Sequence, residues 1–184
     1  MEKDFRAKLM RIVLTVLVLA LLAMPSTLLA QDVATGSATA TVQAILAVTA
    51  TQALAFGTVF QGVPTSIANA NAAAGIFTIA GQGGAGIAIY AQLPDYLATA
   101  TGDDRMVVAF SSTDASVDST ANVDPTSFGV GWQNIDPHNF PSATVVGTLG
   151  ASAVFLGGGV QPSVDQAAGA YTADIILTVA YNGT

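Results

Sequence analysis

The sequence contains no cysteine. That excludes a disulfide framework, a zinc–thiolate site, an iron–sulfur cluster and a thiol nucleophile. Positive charge is almost as scarce. Lys3, Arg6, Lys8 and Arg11 precede residue 12, and only Arg105 follows them. From residue 31 onward that one Arg stands against ten Asp, with no Lys and no Glu. Such a surface cannot neutralise phosphates, so no nucleic-acid partner is expected, nor attraction to an anionic membrane. A single histidine, His138, leaves little for metal or acid–base chemistry. Charged residues make up 9% of the 184 positions and hydrophobic residues 52%, which argues against disorder. The length beyond the first 30 residues suits one domain with a sizeable core.

What is present begins with an export signature. Met1–Arg11 is polar and basic. Ile12–Ala23 is apolar but for Thr15, and Pro25-Ser26-Thr27 ends it. Leu28-Leu29-Ala30 then offers a small residue for cleavage. This is the anatomy of a secretory signal peptide over 1–30, with cleavage after Ala30. The apolar stretch is too short for a bilayer core, which needs about 20 residues. The mature chain is therefore expected outside the cell.

From Ser37 to Ala50 the residues alternate. Ala38, Ala40, Val42, Ala44, Leu46 and Val48 fall on one side; Thr39, Thr41, Gln43 and Thr49 fall on the other. Period 2 is the strand signal. Strand-like runs follow at Ala53–Phe60, Ile76–Ala80, Gly86–Leu93, Arg105–Ser111, Phe128–Gln133, Ala143–Leu149, Ala151–Leu156 and Tyr171–Tyr181. Turn-rich pieces separate them, among them Gly81–Gly86, which reads as a hairpin turn, and Gly157–Gly159. Ser66–Ala74 could hold at most one helical turn. Short strands without a convincing helix predict an all-β antiparallel sandwich. In the last run Tyr171, Ala173, Ile175, Leu177, Val179 and Tyr181 form a face able to bury. Thr172, Asp174, Thr178 and Ala180 form the opposite face, with Ile176 the exception.

No catalytic constellation emerges. Asp103-Asp104 beside Gly102 reads as a solvated turn, and His138 as a loop residue. Asp114, Asp118 and Asp124 fall in one polar loop that could hold calcium, but their spacing is not the EF-hand pattern. No Gly-x-Ser-x-Gly elbow is present. Trp132 reads as core rather than as a sugar platform, and Asn182-Gly183-Thr184 matches a glycosylation sequon. No catalytic residue, metal, cofactor or small-molecule substrate is expected.

Three blocks carry a family resemblance. They are Leu46–Val59, Phe77–Gly81 with Ile87–Tyr90, and Ala167–Asp174 running on through Thr178–Asn182. Together they resemble a pilin-like bacterial domain-of-unknown-function family related to spore coat protein U and to chaperone–usher fimbrial subunits. Gly169 and Tyr181 repeat the spacing of twelve found on the last strand of chaperone–usher pilins. Two features depart from that pattern: three residues follow Tyr181, and there is no disulfide. The resemblance implies an immunoglobulin-like sandwich over 47–184 that lacks its last strand, completed by the 31–46 extension of a neighbouring subunit. It implies donor residues Ala38, Ala40, Val42, Ala44 and Leu46, and an acceptor groove at Val48, Phe56, Ile175, Leu177, Val179 and Tyr181. The chain itself is then the principal partner, as a homopolymer. A periplasmic chaperone and an outer-membrane usher are further candidates.

The function expected on this reading is a structural subunit of an extracellular filament, a pilus or fimbria, polymerising head-to-tail. The rival is a secreted, self-complete sandwich that binds carbohydrate or a surface partner, with residues 37–46 paired in its own sheet. An exposed aromatic patch of Tyr90, Tyr96 and Trp132 would favour the rival.

Overall fold

The computed structural model describes residues 2–22, 34–42, 44–129 and 131–183. The chain divides into two compact units, Met1–Ala40 and Thr41–Thr184. In the first, Glu2–Leu22 form a helix, α1. The expected cleavage point after Ala30 lies outside the described residues. Among the described residues no helix is long and apolar enough to cross a membrane.

Residues 34–42 and 44–46 adopt no strand. The alternation that starts at Ser37 produces paired backbone only from Ala47 onward. Period 2 makes a segment competent for a ladder, but without a neighbouring strand it gains no hydrogen bonds to hold it extended. The pairing of 37–46 within its own sheet, which the rival reading required, is not found among the described residues.

The second unit is mostly β. Its strands are β1 (Ala47–Gln52), β2 (Thr65–Ile67), β3 (Gly75–Ala80), β4 (Ile87–Gln92), β5 (Tyr96–Ala98), β6 (Arg105–Ala109), β7 (Ala115–Asp118), β8 (Gly131–Ile135), β9 (Ala151–Leu156), β10 (Gly158–Gln161) and β11 (Ile176–Tyr181). They form three sheets, ordered β1-β3-β9-β7-β8, β2-β10-β6-β5 and β11-β4. Every strand pair is antiparallel.

The principal core joins the five-stranded sheet to β4. Phe77 and Ile79 of β3, Val117 of β7 and Val154 and Leu156 of β9 meet Ile87 and Ile89 of β4. Each such side chain contributes about 1.5–3 kcal/mol when fully buried. The opposite face of β3 and β9 is also covered. Ile76, Ala153 and Phe155 pack there with Phe128, whose ring meets Phe155 edge-on at 6.0 Å. Met106, Val108 and Val160 build a third cluster on the four-stranded sheet.

Several expectations need correction. Gly81–Gly86 is not a hairpin turn: β3 and β4 lie in different sheets, and the segment crosses between them. A β-carbon at Gly83 would fall 2.5 Å from the Thr148 carbonyl oxygen, so glycine is required by a close approach. Gly157–Gly159 is likewise not a turn. The chain runs from β9 in one sheet into β10 in another through Gly157, where a β-carbon would sit 2.4 Å from the Ile67 carbonyl oxygen. Ala53–Phe60 is irregular, because Gly57 takes φ +67° and breaks the extended backbone. Ala143–Leu149 keeps only an isolated bridge, Gly86 to Val145. Ser66–Ala74 contains the end of β2 and the start of no helix. Trp132 lies on the edge strand β8 and is 46% exposed, so it is not a core residue.

Candidate functional site: an apolar groove between β1 and β11

β1 pairs with β3 alone, and β11 pairs with β4 alone. Among the described residues each therefore keeps one edge of backbone N–H and C=O groups without a strand partner. The two are not paired to each other, although both cover the principal core. Val48 from β1 and Ile175, Leu177, Val179 and Tyr181 from the β11 segment are half-buried against the same cluster. The alternation read over Tyr171–Tyr181 holds only from Ile175 on: Ile176, Thr178 and Ala180 face outward and Leu177, Val179 and Tyr181 face in, whereas Ala173 is exposed and residues 171–175 form no strand beyond an isolated bridge at Thr172.

Strand directions define the groove's two ends. β1 begins where β3 finishes, since Ala47 faces Ala80. Tyr181 lies at that same end: a β-carbon at Gly81 would fall 2.7 Å from its Oη and 2.8 Å from Leu46 Cδ1. Tyr181 Oη donates to the Ala44 carbonyl at 2.9 Å and accepts from the Gln82 N–H at 2.7 Å. β1 thus runs away from the Tyr181 end and β11 runs toward it.

Past the end of β1 and ahead of β11 in the chain lies a cavity of about 900 Å³, lined by no residue of either strand. Its walls are residues 53–61, which continue β1, and 166–173, which lead into β11; Phe56, Leu97, Met106, Val108, Val160 and Ile175 line it. Phe56 therefore sits on the third cluster, sharing the cavity wall with Ile175 but apart from Val48, Leu177, Val179 and Tyr181. Tyr171 is the one titratable side chain on the wall. Its hydroxyl is engaged, donating to the Ala167 carbonyl at 2.7 Å and accepting from Gln166 Nε2 at 2.8 Å.

The donor residues lie ahead of this groove. Ala38, Ala40, Val42 and Ala44 are exposed. Leu46 is half-buried and packs against its own domain's core. The Tyr181 hydroxyl ties down Ala44, so the chain free of the domain ends about there. That break was invisible in the sequence, where the alternation runs on without interruption.

The remaining candidates stay apart. Asp103 and Asp104 are exposed in a turn at Gly102 (φ +76°). Asp114, Asp118 and Asp124 each accept hydrogen bonds within their own turns. Among the described residues no group of three His, Cys, Asp or Glu could hold a metal. Tyr90, Tyr96 and Trp132 are exposed, but they stand on three different sheets and make no single platform.

His138 Nδ1 lies 3.0 Å from Asp136 Oδ1, and its backbone N–H donates to that same oxygen at 2.9 Å. That backbone bond is the main reason the Asp136 carboxyl is held below the usual carboxylate range; the imidazole adds to it. The Thr126 hydroxyl lowers Asp124, and the Ser163 hydroxyl lowers Asp165. A depressed carboxyl stabilises the fold above its unfolded value and loses that contribution as pH falls through its folded value. Unfolding midpoints are therefore expected to fall as pH drops below about 4. The decline should be shallower in Asp136→Asn; an identical slope would show that Asp136 contributes nothing.

Comparison with protein-family models, with curated proteins and with solved structures finds no match to this chain.

Proposed function

We propose that this chain is the structural subunit of an extracellular filament, polymerising head-to-tail as one copy's N-terminal segment fills the groove of the next. In this reading the domain is an immunoglobulin-like sandwich without its final strand, and the inserted segment supplies that strand. The observation that carries it is the pair of edges: among the described residues β1 and β11 each have a single strand partner, and both pack on one apolar core. A strand laid there pairs by β-augmentation and satisfies both edges.

The segment's dimensions fit. The six residues of β11 span roughly 20 Å at strand rise. Residues 34–44 reach roughly 35 Å when extended. Their inward set is small, Ala38, Ala40 and Ala44 with Val42 the largest, which suits a narrow slot.

Strand direction favours a second copy over self-insertion. The chain's own segment would have to reverse within Ile45 and Leu46 and then run parallel to β11. Leu46 is packed inward and Ala44 is tied to Tyr181, which opposes that reversal. A segment from another copy needs no such reversal and can enter in either direction, antiparallel to one of β1 and β11 and parallel to the other. Contacts of this kind do not close on themselves, so they generate a filament.

A labelled peptide of residues 34–44 tests the reading. It is expected to bind the full chain and to raise its unfolding temperature by mass action. A peptide carrying Asp in place of Ala40 and Val42 is expected to do neither. Equal behaviour of the two peptides, or no binding by the first, would overturn the proposal.

A further inference from the structure

The open edge of β1 lies next in the chain to the very segment that could fill it. Residues 37–44 have only to fold back at Ile45 and Leu46 to lie antiparallel to β1, yet residues 34–42 and 44–46 adopt no strand. Connectivity fixes the direction of this route, and local geometry closes it. A two-residue turn needs φ above zero at both central positions, or glycine at the first. Ile45 is β-branched, and neither it nor Leu46 is Gly, Asn or Asp. The face would also be wrong. Such a turn sets Ala44 opposite Ala47 and Val42 opposite Thr49. Ala47 and Thr49 are on the outward side of β1, so the apolar set of the segment would face water.

A three-residue turn over Ala44, Ile45 and Leu46 would correct the face, setting Val42 opposite Val48, which packs on the principal core. Two contacts at the start of the domain oppose it. The Tyr181 hydroxyl donates to the Ala44 carbonyl at 2.9 Å, and Leu46 is half-buried against the core. The hydroxyl is itself fixed, since it accepts from the Gln82 N–H at 2.7 Å. Tyr181 ends β11, and the next residue is held too: Asn182 N–H donates to the Gly86 carbonyl at 3.1 Å and Asn182 Nδ2 to the Ser142 carbonyl at 3.2 Å. Gly81 leaves room for both contacts, because a β-carbon there would fall 2.7 Å from Tyr181 Oη and 2.8 Å from Leu46 Cδ1.

We infer that the Tyr181 hydroxyl and the Ile45-Leu46 link form a guard that keeps the chain's own segment off its own β1 edge, with Tyr181 as the positioning residue. The inference rests on the filament reading and deepens it, by saying how the edge is kept for a second copy. A self-completed subunit would neither offer a segment nor receive one. Folding back is intramolecular, and a short flexible link gives effective concentrations in the mM range. Another copy at ordinary concentration loses to that route unless the link forbids it. The guard burdens the intramolecular route alone. A second copy's segment reaches the same edge without making the turn, whichever direction it runs.

Loosening the link tests the guard in the full chain. Gly-Ser-Gly-Ser inserted between Ala44 and Ile45 frees the reversal in any register and leaves Leu46 in place. Ile45, at the insertion point, is 91% exposed, so the core is untouched. Tyr181→Phe is added to delete the hydroxyl and keep the ring. Together the two changes are expected to slow amide hydrogen exchange of residues 38–42 in the monomer by about tenfold or more. Binding of the 34–44 peptide is expected to weaken by the same factor, since only the unpaired fraction is competent. The insertion with Tyr181 intact is expected to give about fivefold less of both effects, the worth of one hydrogen bond. Where the parent binds the peptide, exchange at the parent's rate in the combined variant, or identical results with and without the hydroxyl, would overturn the guard and leave the filament reading standing. Failure of the parent to bind the peptide would overturn the filament reading and, with it, the purpose assigned to the guard.

Discussion

Val42→Pro is expected to abolish polymerisation of the full chain, whereas Val42→Ala leaves a substantial part of it. The distinction follows from which interaction holds the inserted segment. Its apolar side chains, Ala38, Ala40, Val42 and Ala44, contribute on the order of 4–5 kcal/mol. Ordering ten backbone residues costs about 10–20 kcal/mol. A ladder of main-chain hydrogen bonds supplies a net of roughly 5–15 kcal/mol and is what brings the balance near zero. Leu46 is already packed on its own domain and adds nothing to this sum. Val42→Ala removes two methylene equivalents, about 1.5 kcal/mol, or roughly tenfold in affinity. Proline removes a ladder donor and fixes φ, so it disrupts the pairing as well as the side chain. Val42 is exposed in the isolated chain, so neither change should alter its unfolding temperature. Sedimentation of the polymer, with unfolding curves as the control, measures both. Equal polymer yields from the two variants would mean that side chains, not backbone pairing, carry the assembly.

The second large effect concerns folding. Asp118→Ala is expected to destabilise the domain by roughly 3–5 kcal/mol, on the order of 10 °C in unfolding temperature. Asp118 closes β7 and is fully buried. Its carboxylate accepts from the Thr120 N–H at 2.7 Å, from the Thr120 hydroxyl, and from the Gly129 N–H at 2.7 Å. It thereby staples the two ends of the 119–129 loop. Alanine deletes all three bonds, and although the exposed Thr120 and Gly129 donors can turn to water, the staple is lost. Asp118→Asn keeps a carbonyl oxygen and should fall between the two. The same staple makes a calcium role for Asp118 testable. A chelator should leave the unfolding temperature unchanged, and a fall comparable to that of Asp118→Ala would mean that a cation, not the backbone, holds the loop.

Asp118 also shows how far local pattern reaches. Within Ser-Thr-Asp-Ala-Ser-Val-Asp the polar residues read as a loop, yet Ala115–Asp118 is a strand buried along its whole length between β8 and β9. Its small polar side chains are satisfied within the interior. Asn69 satisfies the backbone at its start, donating to the Thr113 and Ala115 carbonyls at 3.0 and 2.9 Å. β2 and β5, at three residues each, were too short to show a period at all. By contrast β9 occupies Ala151–Leu156, the run read from the sequence, and β3, β4 and β6 lie within a residue or two of theirs.

The sequence by itself determined that the chain is mostly β and which face of the last strand turns inward. Those are properties of neighbours in the chain: side-chain period, composition and the outward exception at Ile176. Tertiary structure alone decided which strands pair, and therefore that β1 and β11 each keep an open edge beside one apolar floor. It also decided that the glycines at 81–86 and 157 serve close crossings between sheets, and that Leu46 belongs to the domain rather than to the free segment. A glycine reads the same in a turn and in a tight crossing, and an alternating run reads the same paired or alone. What separates the cases is a partner distant in sequence, such as Thr148 against Gly83 or Tyr181 against Ala44.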